Sequence, residues 1–126
     1  MTLKKKIENN TIFDIVIIGA GPSGLAFACG FANTNIKIAI IDKLPNAVIS
    51  NPKLDGREIA LTHQSVEILK KLNVWKNFSK KTISTIKEAR ILDGDSKYFL
   101  NFNHDEIQKE NLGYLIPNYL IKKNLY

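Results

Sequence analysis

The stretch Phe13-Asp14-Ile15-Val16-Ile17-Ile18-Gly19-Ala20-Gly21-Pro22-Ser23-Gly24-Leu25-Ala26 constrains the fold more than any other part of this chain. Ile15 to Ile18 are four consecutive β-branched residues and read as a buried strand. They run straight into a G-x-G-x-x-G turn and then into a helix-forming segment. Each glycine answers a separate geometric need. Gly19 allows the tight turn after the strand. Gly21 has no side chain, so a pyrophosphate can approach the backbone. Gly24 lets the helix pack closely on the strand. The helix N-terminus then offers free N–H groups and a partial positive charge to that anion. Pro22 fits the first helical turn, where its missing N–H costs little, and Ser23 shares that turn. Gly19, Gly21, Pro22, Ser23 and Gly24 are therefore the candidate phosphate-side residues.

A second strand completes the pattern. Ile36-Lys37-Ile38-Ala39-Ile40-Ile41 is β-branched, mostly apolar, and ends at Asp42. An acidic residue at this distance past the glycines can hydrogen-bond the hydroxyls of an adenosine ribose and repel a 2′-phosphate. The pattern predicts an α/β fold. A strand over 14–18 should be central and parallel to one over 36–41, with a helix from Pro22 to about Asn33 between them. The plain alternative is a βαβ unit whose Asp42 merely caps a loop.

The net charge of +6 does not point to nucleic acid. The basic residues are 16 Lys and 2 Arg, scattered and without aromatic interleaving. Nucleic-acid sites favour Arg for base edges and phosphates. Ile, Asn and Lys are all abundant, the bias of an AT-rich coding sequence, and a solvated basic surface accounts for the charge. No segment is apolar enough for long enough to span a membrane. Residues 1–10 are Lys-rich but lack the apolar core of a secretory signal. The single cysteine, Cys29, excludes an internal disulfide, suits a reducing cytoplasmic compartment, and reads as a small buried hydrophobe. No cluster of His, Cys, Asp or Glu has metal-ligand spacing.

Beyond Asp42, residues 43–55 carry two prolines and read as a loop. Val66, Ile68, Leu69 and Leu72 predict a helix over 63–72, stopped near Asn73 by a left-handed cap. Val74, Trp75 and Phe78 should pack back on it. Residues 89–102 read as strand, Asp-Gly turn and strand, a hairpin belonging to a different sheet. Residues 103–111 read as a polar loop, and 119–126 as the start of a helix. His63 has no Ser, Cys or carboxylate partner at a telling spacing and reads as structural, as does Trp75.

Four blocks in this order resemble the flavin-dependent aromatic-ring hydroxylases, with the ubiquinone-biosynthesis branch nearest. They are Asp14 to Leu25, Asp55-Gly56-Arg57-Glu58-Ile59-Ala60-Leu61, Ser65 to Trp75, and Gly113-Tyr114-Leu115-Ile116-Pro117-Asn118. The first is common to many flavin and nicotinamide proteins, and the later ones are more specific. The resemblance implies a monooxygenase in which FAD, reduced by NADPH or NADH, activates O₂ to hydroxylate an electron-rich ring. It implies a small aromatic substrate that can carry a polyprenyl tail, and peripheral inner-membrane association of the full-length enzyme. It places Gly19, Gly21 and Gly24 at the FAD pyrophosphate and Asp42 at the adenosine ribose. Arg57 matches an arginine near the cofactor, and Asn118 falls where relatives place an amide close to FAD.

The chain departs from the family where Asp42 replaces a common Glu, Asn73 a common Gly, and Pro117 an acidic residue. Family members are also much longer. The resemblance therefore implies the N-terminal part of an FAD-binding domain over 1–126, with 82–112 starting the substrate-side sheet. A complementing C-terminal chain would be its partner, and the piece alone would be inactive. Another Rossmann oxidoreductase, or a non-catalytic nucleotide-binding remnant, are the competing readings.

Overall fold

The computed structural model describes residues 12–126. Strand β1 (Ile15–Ile18) and strand β2 (Ile38–Ile41) pair in parallel, with Ile15 opposite Ile38 and Ile18 opposite Ile41. Both ends of this ladder are pinned. The Asp14 carboxylate accepts the Lys37 N–H at 2.7 Å, and the Asp14 N–H donates to the Lys37 carbonyl at 2.9 Å. At the far end the Gly19 N–H donates to the Ile41 carbonyl at 2.7 Å. Helix α1 (Pro22–Cys29) connects the two strands.

Helix α1 stops four residues short of the expected Asn33. The Gly30 N–H is shared between the carbonyls of Ala26 and Phe27. Phe31, Ala32 and Thr34 then each donate to a carbonyl three residues back, so tight turns replace the helix. Glycine has poor helix propensity, and shared bonds of this kind are common at helix ends. The expected central position of β1 is not seen either. Among the described residues it pairs only with β2.

Residues 43–55 are not wholly loop. Pro45 is extended, its carbonyl accepts from Val48 and Ile49, and a single helical turn α2 (Asn46–Ser50) follows. Five residues are too few to show a helical period.

Strand β3 (Glu58–Leu61) leads into helix α3 (His63–Lys71). Thr62 caps that helix through its Oγ1, which accepts the Ser65 N–H at 3.2 Å. Val66 and Leu69 form its buried face. Its C-terminus is the expected left-handed cap. Asn73 has φ +61°, its N–H donates to Lys70, and the Val74 N–H reaches back to Leu69. This is the Schellman pattern. It turns Val74 and Phe78 into the core beside Leu69.

Strand β4 (Ser84–Ile86) precedes the hairpin of β5 (Glu88–Leu92) and β6 (Phe99–Asn103). The hairpin is a sheet of its own, as expected. Its register pairs Ala89 with Phe102 and Ile91 with Leu100 on one face. Arg90 lies on the other face, bonded to Glu88 and Asn101 and stacked over the Phe99 ring at 5.0 Å. Residues 104–107, within the expected loop, form one 3₁₀ turn.

Strand β7 (Gly113–Pro117) was not anticipated, yet it is the middle strand of an antiparallel sheet ordered β3-β7-β4. Gly113 lets it approach β3, since a Cβ there would stand 2.5 Å from the Leu61 carbonyl oxygen. Helix α4 (Asn118–Leu125) follows directly and packs on α1, where the Cys29 thiol donates to the Leu125 carbonyl at 2.9 Å. Burial pushes the Cys29 thiol pKa up, which keeps it protonated. The core gathers Ala20, Leu25, Leu69, Ile116, Ile121 and Leu125 with Val74 and Phe78.

Candidate cofactor-binding site

The glycine turn has the geometry its sequence demands. Gly19 sits at φ +104°, where L side chains are rarely found. Gly21 is extended immediately before α1, and a Cβ built on it would project into open space. At Gly24 a Cβ would overlap the Gly19 carbonyl oxygen and lie 3.2 Å from the Ile17 side chain. Gly24 thus lets the helix lie close against the turn and the strand. Helix α1 has no side-chain cap and no acidic residue in its first turn. The N–H groups at Ser23 and Gly24, which precede the first intrahelical donor, have no acceptor within the helix.

Asp42 is tied to this turn. One carboxylate oxygen accepts the Ala20 N–H at 2.7 Å and the other accepts the Leu44 N–H at 2.8 Å. These backbone donors, Leu44 first and Ala20 second, hold its pKa below the ordinary carboxylate value. Asp42 therefore clamps the end of β2 onto the glycine turn. Each oxygen keeps a second lone pair for a hydroxyl donor. A cavity of about 400 Å³ opens beside it, lined by Ala20, Leu44, Asn46, Ile49 and Tyr126.

Arg57 and Asn118 form a second group, and the residue joining them is Asp55. Its Oδ2 accepts from Arg57 Nη2 at 2.7 Å, Arg57 Nε at 3.1 Å and Asn118 Nδ2 at 2.6 Å. Its Oδ1 accepts the Arg57 N–H at 3.3 Å. The Asn118 amide first, and the Arg57 guanidinium second, bring the Asp55 pKa down to about 2. The β3–β7 register explains the meeting. Glu58 lies opposite Pro117, and just beyond that pair the Asn118 N–H donates to the Arg57 carbonyl at 2.9 Å. Asn118 is buried, while the Arg57 side chain is 68% exposed.

Sequence reasoning named Arg57 and Asn118 but gave Asp55 no role. The readable signal was an Asp two residues before an Arg with a glycine between. Gly56, at φ +69°, makes the turn that folds the two side chains together.

Among the described residues no hydrogen bond joins the Asp42 group to the Asp55 group. A cleft of about 400 Å³ lies between α1 and the antiparallel sheet, lined by Pro22, Ser23 and Ala26 on one side and Ile59 and Leu61 on the other. His63 lies elsewhere, its Nε2 2.9 Å from the Asn111 carbonyl oxygen. Trp75 packs against Phe78 and Tyr114.

The sequence profile of the FAD binding domain matches residues 13–111. The chain belongs to this family. Its cofactor is FAD. The chain is 40% identical, across 90% of its length, to the ubiquinone hydroxylase UbiM of Neisseria meningitidis. It is 28% identical, across 98% of its length, to the mitochondrial ubiquinone biosynthesis monooxygenase COQ6 of Dictyostelium discoideum. It spans only about a quarter of these curated relatives, 25% of the first and 28% of the second. Among solved structures it is similar to the peptidyl tryptophan dihydroxylase QhpG. There the TM-score is 0.47 and the identity 15%, over 88% of this chain and 21% of that one. No helix among the described residues is long and apolar enough to cross a membrane.

Proposed function

We propose that this chain is the FAD-gripping part of a flavin-dependent monooxygenase that hydroxylates the aromatic ring of a ubiquinone precursor, with NADH or NADPH as reductant. The observation that carries this reading is the 40% identity to a ubiquinone hydroxylase along nine-tenths of the chain. The turn geometry supports it. A bulky ligand oxygen can reach the Gly21 backbone because no Cβ stands there.

In this reading the Ser23 and Gly24 N–H groups and the α1 dipole bind the pyrophosphate. Gly19 turns the chain and Gly24 seats the helix. Pro22 starts the helix without removing a needed donor. Asp42 orients the ribose through its remaining lone pairs. Arg57 supplies positive charge and Asn118 an amide near the cofactor. Bound FAD supplies the redox chemistry that activates O₂ toward the ring.

The hairpin β5–β6 begins the substrate-side layer, within a substrate-side segment over 82–112. The substrate is a small aromatic ring that can carry a polyprenyl tail, and nucleic acid is not a partner. A complementing polypeptide, corresponding to the rest of the relatives, completes the ring site. The full-length enzyme works in the cytoplasm, at the inner membrane surface. Alone, this chain binds the nucleotide end and does not turn over, because ring positioning to within about 1 Å governs the rate.

The test is calorimetric titration of the chain with ADP and with FAD, beside Gly21→Val, together with an assay of NAD(P)H oxidation. The wild type should bind both ligands without turnover. Gly21→Val should lose binding while staying folded, since its cost is confined to a weaker helix cap of under about 1 kcal/mol. Equal affinity in the variant, or turnover by the isolated chain, would overturn the reading.

A further inference from the structure

We infer that Asp55 is a positioning residue for the cofactor site: its carboxylate joins the Arg57 guanidinium to the Asn118 amide and so presents both to FAD in one geometry. This rests on the reading of the site given above.

Three donors from two elements converge on one oxygen, Asp55 Oδ2. Arg57 precedes β3 and Asn118 opens α4, so the carboxylate bridges the two elements. The two differ in freedom. Asn118 is 3% exposed and has a backbone bond of its own to Arg57. Arg57 reaches into solvent, where a free arginine would sample many rotamers. Holding it costs side-chain entropy, which binding would otherwise have to supply.

Asp55 takes that cost before the ligand arrives. It engages Nε and Nη2, which leaves the Nη1 edge without a partner among the described residues. That edge is the part of the guanidinium able to meet a ligand oxygen.

The alternative to positioning is that Asp55 only neutralises Arg57 or only stabilises the fold. The sign of one measurement separates these. FAD carries a negatively charged pyrophosphate. By charge alone, removing a neighbouring carboxylate favours an anion, so Asp55→Asn should bind FAD more tightly. If Asp55 positions, the same variant binds more weakly although a negative charge has gone.

The experiment is calorimetric titration with FAD of the wild type, Asp55→Asn, Asp55→Ala, Arg57→Ala and the double variant Asp55→Ala/Arg57→Ala. Thermal melts are recorded on each. Asp55→Ala should weaken FAD binding roughly tenfold, the scale of a hydrogen bond to a charged group. Arg57→Ala should do so by at least as much, and the double variant should add little to Arg57→Ala. That non-additivity marks one unit, whereas a purely structural residue would give independent losses that follow the melting temperature.

Should Asp55→Ala fail to fold, the near-isosteric Asp55→Asn with Arg57→Ala carries the same cycle. Unchanged or tighter binding in Asp55→Asn overturns the proposal, and so do additive losses. A folded wild type that binds no FAD overturns instead the cofactor-site reading on which it rests.

Discussion

Replacing Gly24 with alanine drives a methyl carbon into the Gly19 carbonyl oxygen, with the Ile17 side chain 3.2 Å away on the same side. The obstacle is backbone on a pinned turn. Gly19 is held by its bond to Ile41, and the next residue, Ala20, by Asp42. Restoring normal contact distances needs helix α1 to retreat by roughly 1 Å. Such overpacking typically costs about 1–3 kcal/mol. The better helix propensity of alanine offsets at most about 1 kcal/mol. A net loss of about 1–2 kcal/mol is expected, or a fall of about 4–8 °C in Tm for a chain of this size. The assay is thermal unfolding followed by circular dichroism. Gly21→Ser is the control, because a side chain at Gly21 meets nothing and serine is a favoured N-cap. It should leave Tm within about 2 °C. A Gly24→Ala chain as stable as the wild type would refute the close-approach reasoning, and with it the reason for a third glycine in the turn.

Two further outcomes are expected. Asn73→Ala should lower stability by about 1 kcal/mol in a urea titration, because φ +61° strains a residue with a Cβ and no local polar partner, and Asn73→Gly should match or exceed the wild type. Stability should also fall in acid: Asp55 has a folded pKa of about 2 against an ordinary 3.8, so its contribution is present above about pH 4 and is lost as pH drops towards 2. Melts across pH 2 to 6 on the wild type and Asp55→Asn check this, and a fall of equal steepness in both would assign it to other groups.

What could be read in the sequence follows how local each feature is. Strand, glycine turn and helix are encoded within residues 14–29. Gly19 takes its positive φ and Gly24 its close contact through neighbours a few positions away. The cap at Asn73 and the β5–β6 hairpin are equally local. Strand β7 was missed because its identity is non-local. Gly113-Tyr114-Leu115-Ile116-Pro117 is a short run ending in proline, and it becomes a strand by pairing with β3 on one side and β4 on the other. The Asp55 link was hidden for the same reason, since Asn118 is 63 positions away in the chain. The early end of α1 was misjudged because its last turn trades i−4 bonds for i−3 bonds around Gly30, a choice no apolar period reports.

In the proposed reading, the nucleotide-gripping turn and the bare sheet faces separate along this same line. The hydrogen bonds that shape the glycine turn stay local, while Ala20 and Leu25 also pack into the core with Ile121 and Leu125. Asp42 bonds to Ala20 and Leu44, Gly19 bonds to Ile41, and Gly24 packs on Ile17. The sheets around the turn are different. Helix α1 covers one face of β1–β2, but on the other face Ile18 is 89% exposed and Val16 is exposed beside it. A parallel sheet is normally buried on both faces. The hairpin repeats the pattern, with Ile91 and Leu100 paired on a bare apolar face. These two apolar faces have nothing opposite them among the described residues. In the proposed reading, affinity for the nucleotide end rests on contacts within this chain. Burying Ile18 and Leu100 requires elements laid against both faces.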